Sequence, residues 1–150
     1  MKEKFQVFTS SKYVNIMLDS IGYKGDTILN KSFLENSCGS GNILKEAIER
    51  YIIVAESANI SKETIIKDLS TNFIGFELDE RLISECEDNL NEIIYKYGYE
   101  NVNWNLRNQD YLKTNIEIEF DFIVGNPPYL MYQNISLYER NFIREKFISC

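Results

Sequence analysis

The sequence predicts an α/β fold with a doubly wound, mostly parallel sheet that is incomplete on its C-terminal side. Short apolar runs suited to buried strands alternate with longer segments whose apolar residues recur at helical spacing. A glycine turn, Ser37-Cys38-Gly39-Ser40-Gly41, joins the first such run to the helix after it, and the next run ends on an acidic residue, Glu77. Open α/β sheets bind ligands at strand ends of this kind.

Each element has its own signal. Ser11 to Ile21 places Tyr13, Val14, Met17, Leu18 and Ile21 on one helical face, and Gly22 stops the helix. Phe33-Leu34 leads into the glycine turn, after which Ile43, Leu44, Ala47, Ile48, Tyr51 and Ile52 recur as a helix does. Ser61 to Leu69 reads as a short helix with Ser61 as N-cap, and Asn72 to Glu77 as a buried strand. Asp79 caps a long amphipathic helix that Gly98 ends. Asn101 to Arg107 alternates like a strand, and Phe120 to Val124 forms a fourth. Ser136-Leu137-Tyr138-Glu139 is a capping box that opens a last helix. That helix is still in phase at Cys150, with no stop signal, so the sequence is expected to be the N-terminal part of one larger domain.

Composition narrows the chemistry. The 150 residues, 44% of them hydrophobic, allow one domain with a core and not two. No apolar run approaches the roughly 20 residues of a membrane span, so a soluble, cytoplasmic protein is expected. Three cysteines without a C-x-x-C pair fit neither a disulfide framework nor a zinc site, and no metal is expected. Histidine is absent, which removes the commonest general base and the Ser-His and Cys-His nucleophile pairs. The net charge of −7 is concentrated between residues 35 and 125, so that stretch carries no cationic footprint for nucleic-acid phosphates.

Four stretches are candidates for the site. In Glu35-Asn36-Ser37-Cys38-Gly39-Ser40-Gly41-Asn42, glycines let the backbone approach a ligand and aim amides at it, unless this is an ordinary strand-to-helix turn. Glu77 can accept hydrogen bonds from ribose hydroxyls or simply be a solvated strand end. Its distance from Gly39 exceeds the usual gap of roughly 20 residues, and the helix at Ser61 to Leu69 accounts for the excess. In Asn108-Gln109-Asp110-Tyr111-Leu112, a carboxylate can meet an adenine amino group between apolar neighbours, or Asp110 can merely cap a turn. Asn126-Pro127-Pro128-Tyr129 is more distinctive. Its prolines fix the backbone and remove donors, which leaves the Asn126 side chain and the Pro127 carbonyl as acceptors beside a flat tyrosine. That set suits a planar ring with an exocyclic amine.

With the other stretches in this order, Asn126 to Tyr129 resembles the amino-methyltransferases, specifically the adenine-N6 DNA methyltransferases of restriction-modification systems. Phe5-Gln6-Val7-Phe8-Thr9-Ser10 is similar to the family's N-terminal cofactor motif, and its place before the glycine turn is that of the gamma order. The chain departs from the pattern at Ser10 and Asn36, where proline is common, at Asn42, and at Ile43, where Phe is frequent.

The resemblance implies a Rossmann-like fold and S-adenosylmethionine as cofactor. Thr9 and the Glu35 to Gly41 region, with Ser37, Cys38 and Gly39, would hold its methionine part. Glu77 would hold its ribose, Leu78 one face of its adenine, and Asp110 with Tyr111 the adenine amino edge. Asn126, Pro127, Pro128 and Tyr129 would form the catalytic element for an adenine flipped out of double-stranded DNA. DNA recognition would lie mainly in later regions, with a restriction or specificity subunit or domain as a possible partner, and residues 1–150 alone are expected to be inactive. The alternatives are a protein-glutamine methyltransferase, whose substrate presents a similar planar nitrogen, and a non-catalytic nucleotide-binding module. A nicotinamide-binding domain would explain the glycine turn and Glu77 but not the paired prolines.

Overall fold

The computed structural model describes residues 11–114 and 119–125. Thr9, the Asn126 to Tyr129 element and the helix expected from Ser136 lie outside the described residues. The chain runs α1 (Ser11–Ser20), β1 (Phe33–Glu35), α2 (Asn42–Ser57), α3 (Lys62–Thr71), β2 (Phe73–Phe76), α4 (Glu80–Lys96), β3 (Asn105–Arg107) and β4 (Phe122–Val124). Two single 3-10 turns, Gly25–Ile28 and Tyr111–Lys113, complete it.

The four strands form one parallel sheet in the order β3-β2-β1-β4. Phe33 stands opposite Phe73 on one side and Phe122 on the other. From β1 to β2 to β3 the chain steps in one direction, and right-handed crossovers then put the connecting helices on a single face. The core agrees. Phe33, Phe73 and Val124 join the buried residues of all four helices, Val14, Leu44, Ile48, Leu69, Leu90 and Ile94 among them. The alternate strand residues Leu34, Ile74, Phe76 and Ile123 form a second buried cluster with Tyr111, which no described helix residue enters. Gly75 is what lets α2 lie so close to the sheet: a Cβ there would meet Leu44, Leu106 and Cys38 at 2.9 to 3.1 Å.

The helices sit where their caps predict. The Ser61 hydroxyl accepts from the Thr64 amide at 3.2 Å and the Asp79 carboxylate from the Arg81 amide at 2.9 Å. Gly22 and Gly98 follow helix ends at φ of +81° and +86°. The strands differ more from expectation. β3 begins at Asn105 rather than Asn101, and its three residues are all half-buried without alternation, because it is the sheet's outermost described strand. Tyr13, expected on the buried face of α1, is 66% exposed, while Val14 and Leu18 alone are fully buried there. Cys38 and Cys86 are buried free thiols, as expected of packing cysteines. Among the described residues no helix is long and apolar enough to cross a membrane, and no acidic, Cys or His group could hold a metal.

Candidate functional site

The parallel sheet carries the carboxyl ends of all four strands to one edge, and the glycine turn lies there, against β2. The Cys38 amide donates to the Phe76 carbonyl at 2.8 Å, and the Gly41 amide to the Cys38 carbonyl at 2.8 Å. Gly39 and Gly41 have φ of +53° and +96°, which side-chain-bearing residues rarely adopt. At Gly39 the space above the Cα is open, whereas a Cβ on Gly41 would come within 2.9 Å of Cys86 Sγ. One glycine therefore leaves room for a ligand, and the other lets α4 pack against the turn. Asn89 of α4 fixes the turn further by donating to the Ser40 carbonyl at 2.8 Å.

Glu77 ties two strand ends together. Its Oε1 accepts from the Gly39 amide at 3.0 Å and its Oε2 from the Asp79 amide at 2.9 Å. Each carboxylate oxygen has a second lone-pair site, so both can still accept hydroxyl donors. Asn108, just past β3, donates to the carbonyls of Glu77 and Leu78 at 3.0 and 2.8 Å. This bond holds the loop that presents Leu78, whose side chain is 67% exposed.

Glu35, at the end of β1, is only 1% exposed, and its Oε1 accepts from the Ser37 amide at 3.1 Å. Burial pushes its carboxyl up to about 8; the Ser37 bond opposes this and the Glu77 charge adds to it. The Cys38 thiol is also pushed well above its usual range, by its contact with Cys86 and then by burial, so it packs rather than reacts as a thiolate.

Asp110 caps, and Tyr111 opens, the 3-10 turn that follows β3. The Asp110 carboxylate accepts from the Leu112 amide at 2.9 Å and so caps its own 3-10 turn. Tyr111 is buried edge-on against Phe76, ring centroids 5.4 Å apart, in the second cluster.

Sequence reasoning gave no individual role to Asn108 or Asn36. Asn108 lay in a stretch already singled out, and an amide just past a strand end was the available signal. Asn36 lay in the first candidate stretch, where it was singled out as a departure from proline. Its amide N–H donates to the Val124 carbonyl at 3.2 Å, and its Oδ1 is buried without a hydrogen-bond partner among the described residues. A buried acceptor left in that state costs about 1–3 kcal/mol.

Comparison with known proteins points one way. The family described as Eco57I restriction-modification methylase matches residues 22–150. The Type II methyltransferase M.BstVI of Geobacillus stearothermophilus is 31% identical over 141 residues, which is 86% of this chain and 25% of that protein. The modification methylase CviBIII of a Paramecium bursaria Chlorella virus is 32% identical over 130 residues, 87% of this chain and 27% of the other. The chain thus spans about a quarter of the length of the curated relatives it matches. Among solved structures, a modification subunit of a putative type I restriction enzyme from Vibrio vulnificus superposes with a TM-score of 0.59 at 19% identity. That match covers 87% of this chain and 26% of the other. An RNA methyltransferase from Salinibacter ruber, solved with S-adenosyl-L-homocysteine, gives 0.57 at 17% identity, covering 94% and 71%. At such identities these two matches concern the fold alone.

Proposed function

Since the chain belongs to the Eco57I restriction-modification methylase family, we propose that it forms the cofactor-binding part of a DNA adenine-N6 methyltransferase that uses S-adenosylmethionine. The observation that carries the reading is the bond from the Gly39 amide to Glu77 Oε1 at 3.0 Å. It sets a glycine turn with open space at Gly39 beside a carboxylate that keeps acceptor capacity. The fit to a nucleoside with an amino-acid tail is chemical: carboxylate acceptors for ribose hydroxyls, an exposed Leu78 for a ring face, and an α2 N-terminus without a side-chain cap for a carboxylate.

In this reading Glu77 holds the ribose, Leu78 one face of the adenine, and Asp110 with Tyr111 its amino edge. Thr9, Glu35, Ser37, Cys38, Gly39 and Gly41 surround the methionine end. Bound S-adenosylmethionine supplies an activated methyl on a sulfonium. The protein's part is alignment and electrostatic setting. Asn126 Oδ1 and the Pro127 carbonyl accept from the two hydrogens of the target N6. This makes the nitrogen more pyramidal and turns its lone pair toward the methyl. Pro128 keeps the element rigid, and Tyr129 stacks on the base, which must leave the duplex at a cost of a few kcal/mol. No histidine is required by such a displacement.

The reading is tested by calorimetric titration of the chain with S-adenosylhomocysteine, with nicotinamide adenine dinucleotide as control. Selective binding of the sulfur compound is expected, weakened about tenfold or more by Asp110→Ala. Because Asp110 caps only its own 3-10 turn, that variant should keep the parent's circular dichroism. Equal binding of the dinucleotide, or none of either ligand by folded protein, would refute the assignment.

A further inference from the structure

The chain stays braced beyond the end of β2. The Glu77 amide donates to the Arg107 carbonyl at 3.0 Å, one residue past the last strand pair, Phe76 and Arg107. The next two carbonyls, those of Glu77 and Leu78, both accept from one nitrogen, Asn108 Nδ2, at 3.0 and 2.8 Å. Two residues further along its own loop stands Asp110, the cap of the 3-10 turn. At about 3.8 Å between successive Cα atoms, Asp110 is no more than about 7.6 Å from Asn108. One side-chain amide thus ties the loop after β2 to the loop after β3.

Both bonds are exposed. A neutral hydrogen bond in water adds little net stability, so this pair contributes geometry more than folding energy. What it places is unlike a plain surface loop. Leu78 is a large apolar side chain left exposed on a braced backbone, and both oxygens of Glu77 are directed by amides, those of Gly39 and Asp79. In the reading above, the ring face, the ribose acceptor and the amino-edge acceptor are therefore carried on two loops whose relative placement Asn108 sets.

We propose that Asn108 is a positioning residue for the cofactor's base: by holding the loop of Leu78 against the loop of Asp110, it lets the site tell a 6-amino purine from a 6-oxo one. This rests on the reading of the chain as a binder of S-adenosylmethionine. Asn108 touches no ligand and acts through Leu78 and Asp110. A carboxylate accepts from an exocyclic amino group and repels an oxo group in the same place. That distinction survives only while the ring is held in register with the carboxylate, which is the work of residues behind the contact.

The test is calorimetric titration of the parent chain, Asn108→Asp and Asn108→Ala with S-adenosylhomocysteine and with S-inosylhomocysteine, its 6-oxo counterpart, together with thermal melting of the unliganded proteins. Aspartate keeps the shape of asparagine and has no donor, so donation is separated from packing. The parent should prefer S-adenosylhomocysteine by about tenfold or more, and in both variants the preference should fall to about threefold or less through weaker binding of that ligand. The variants should melt within a few degrees of the parent. An undiminished preference in Asn108→Asp, a loss shared equally by both ligands, or a collapse of the melting temperature would each overturn the assignment. If the folded parent binds neither ligand, the cofactor reading falls; if it binds both alike, the amino-edge part of that reading falls; either result takes this inference with it. If the parent discriminates and the variants do so equally, this inference alone falls.

Discussion

At the scale of single residues, Glu35 makes the clearest prediction. Its buried carboxyl titrates near 8 in the fold against an ordinary 4.5. The folded state therefore holds this proton more tightly than the unfolded chain does. Stability from the group is complete below about pH 4.5 and is lost as the pH rises to about 8. At about 1.4 kcal/mol per unit, the loss has an upper limit of about 5 kcal/mol. Glu35→Gln keeps an acceptor for the Ser37 amide and cannot ionise. Urea unfolding should find the variant more stable than the parent at pH 8.5 and equal to it at pH 4.5; a difference independent of pH would refute this account. Residues such as Glu35, Gly39 and Glu77 were legible from the sequence because turn chemistry and strand ends are local signals. The place of Asn36 was not, since its side chain is set against Gly125, far along the chain.

At the scale of elements, Arg50 of α2 makes five hydrogen bonds to α1 and the loop after it. Arg50 donates to the Asn15 side chain at 2.8 and 3.3 Å, to the Asn15 carbonyl at 3.1 Å, to Asp19 at 2.7 Å and to the Tyr23 carbonyl at 3.0 Å. The guanidinium's planar fork fits such a divergent set, and an ammonium cannot replace it. Arg50→Ala should lower stability by about 2–3 kcal/mol, with Arg50→Lys recovering less than half. Denaturant unfolding of the three proteins checks this; full recovery by lysine would reduce the interaction to simple charge. Nothing in the sequence marked Arg50, because its partners, Asn15, Asp19 and Tyr23, come from two successive turns of another helix and the loop beyond it. Helix limits were legible for the opposite reason: Ser61, Asp79, Gly22 and Gly98 act within a few residues of themselves. Strands of three or four residues hold their ends only through neighbours across the sheet, so Asn101 read as strand and Asn105 begins it.

At the scale of the molecule, alternation of strands and helices gave the parallel sheet and the edge that gathers its strand ends, since both follow from connection rules rather than from any one residue. Side-chain parity along the strands then sorts Phe33 and Phe73 onto the helical face and Leu34 and Ile74 onto the other. Charge is also a property of the whole chain and bears on the proposed DNA partner. Net charge is −7, and the acidic excess falls within residues 35–125, which hold the glycine turn and Glu77. Binding of duplex DNA draws on counterion release by clustered Lys and Arg, which this stretch lacks. At physiological salt, fields are screened beyond about 8 Å, so distant cations would not mask the acidic excess. The 150-residue chain should therefore not retard duplex DNA at about 150 mM salt, even where it binds S-adenosylhomocysteine. Submicromolar retardation that weakens steeply with added salt would mean that residues outside 35–125 gather enough cations to overcome that repulsion, and the division between a cofactor-binding part here and DNA contacts elsewhere would have to be abandoned.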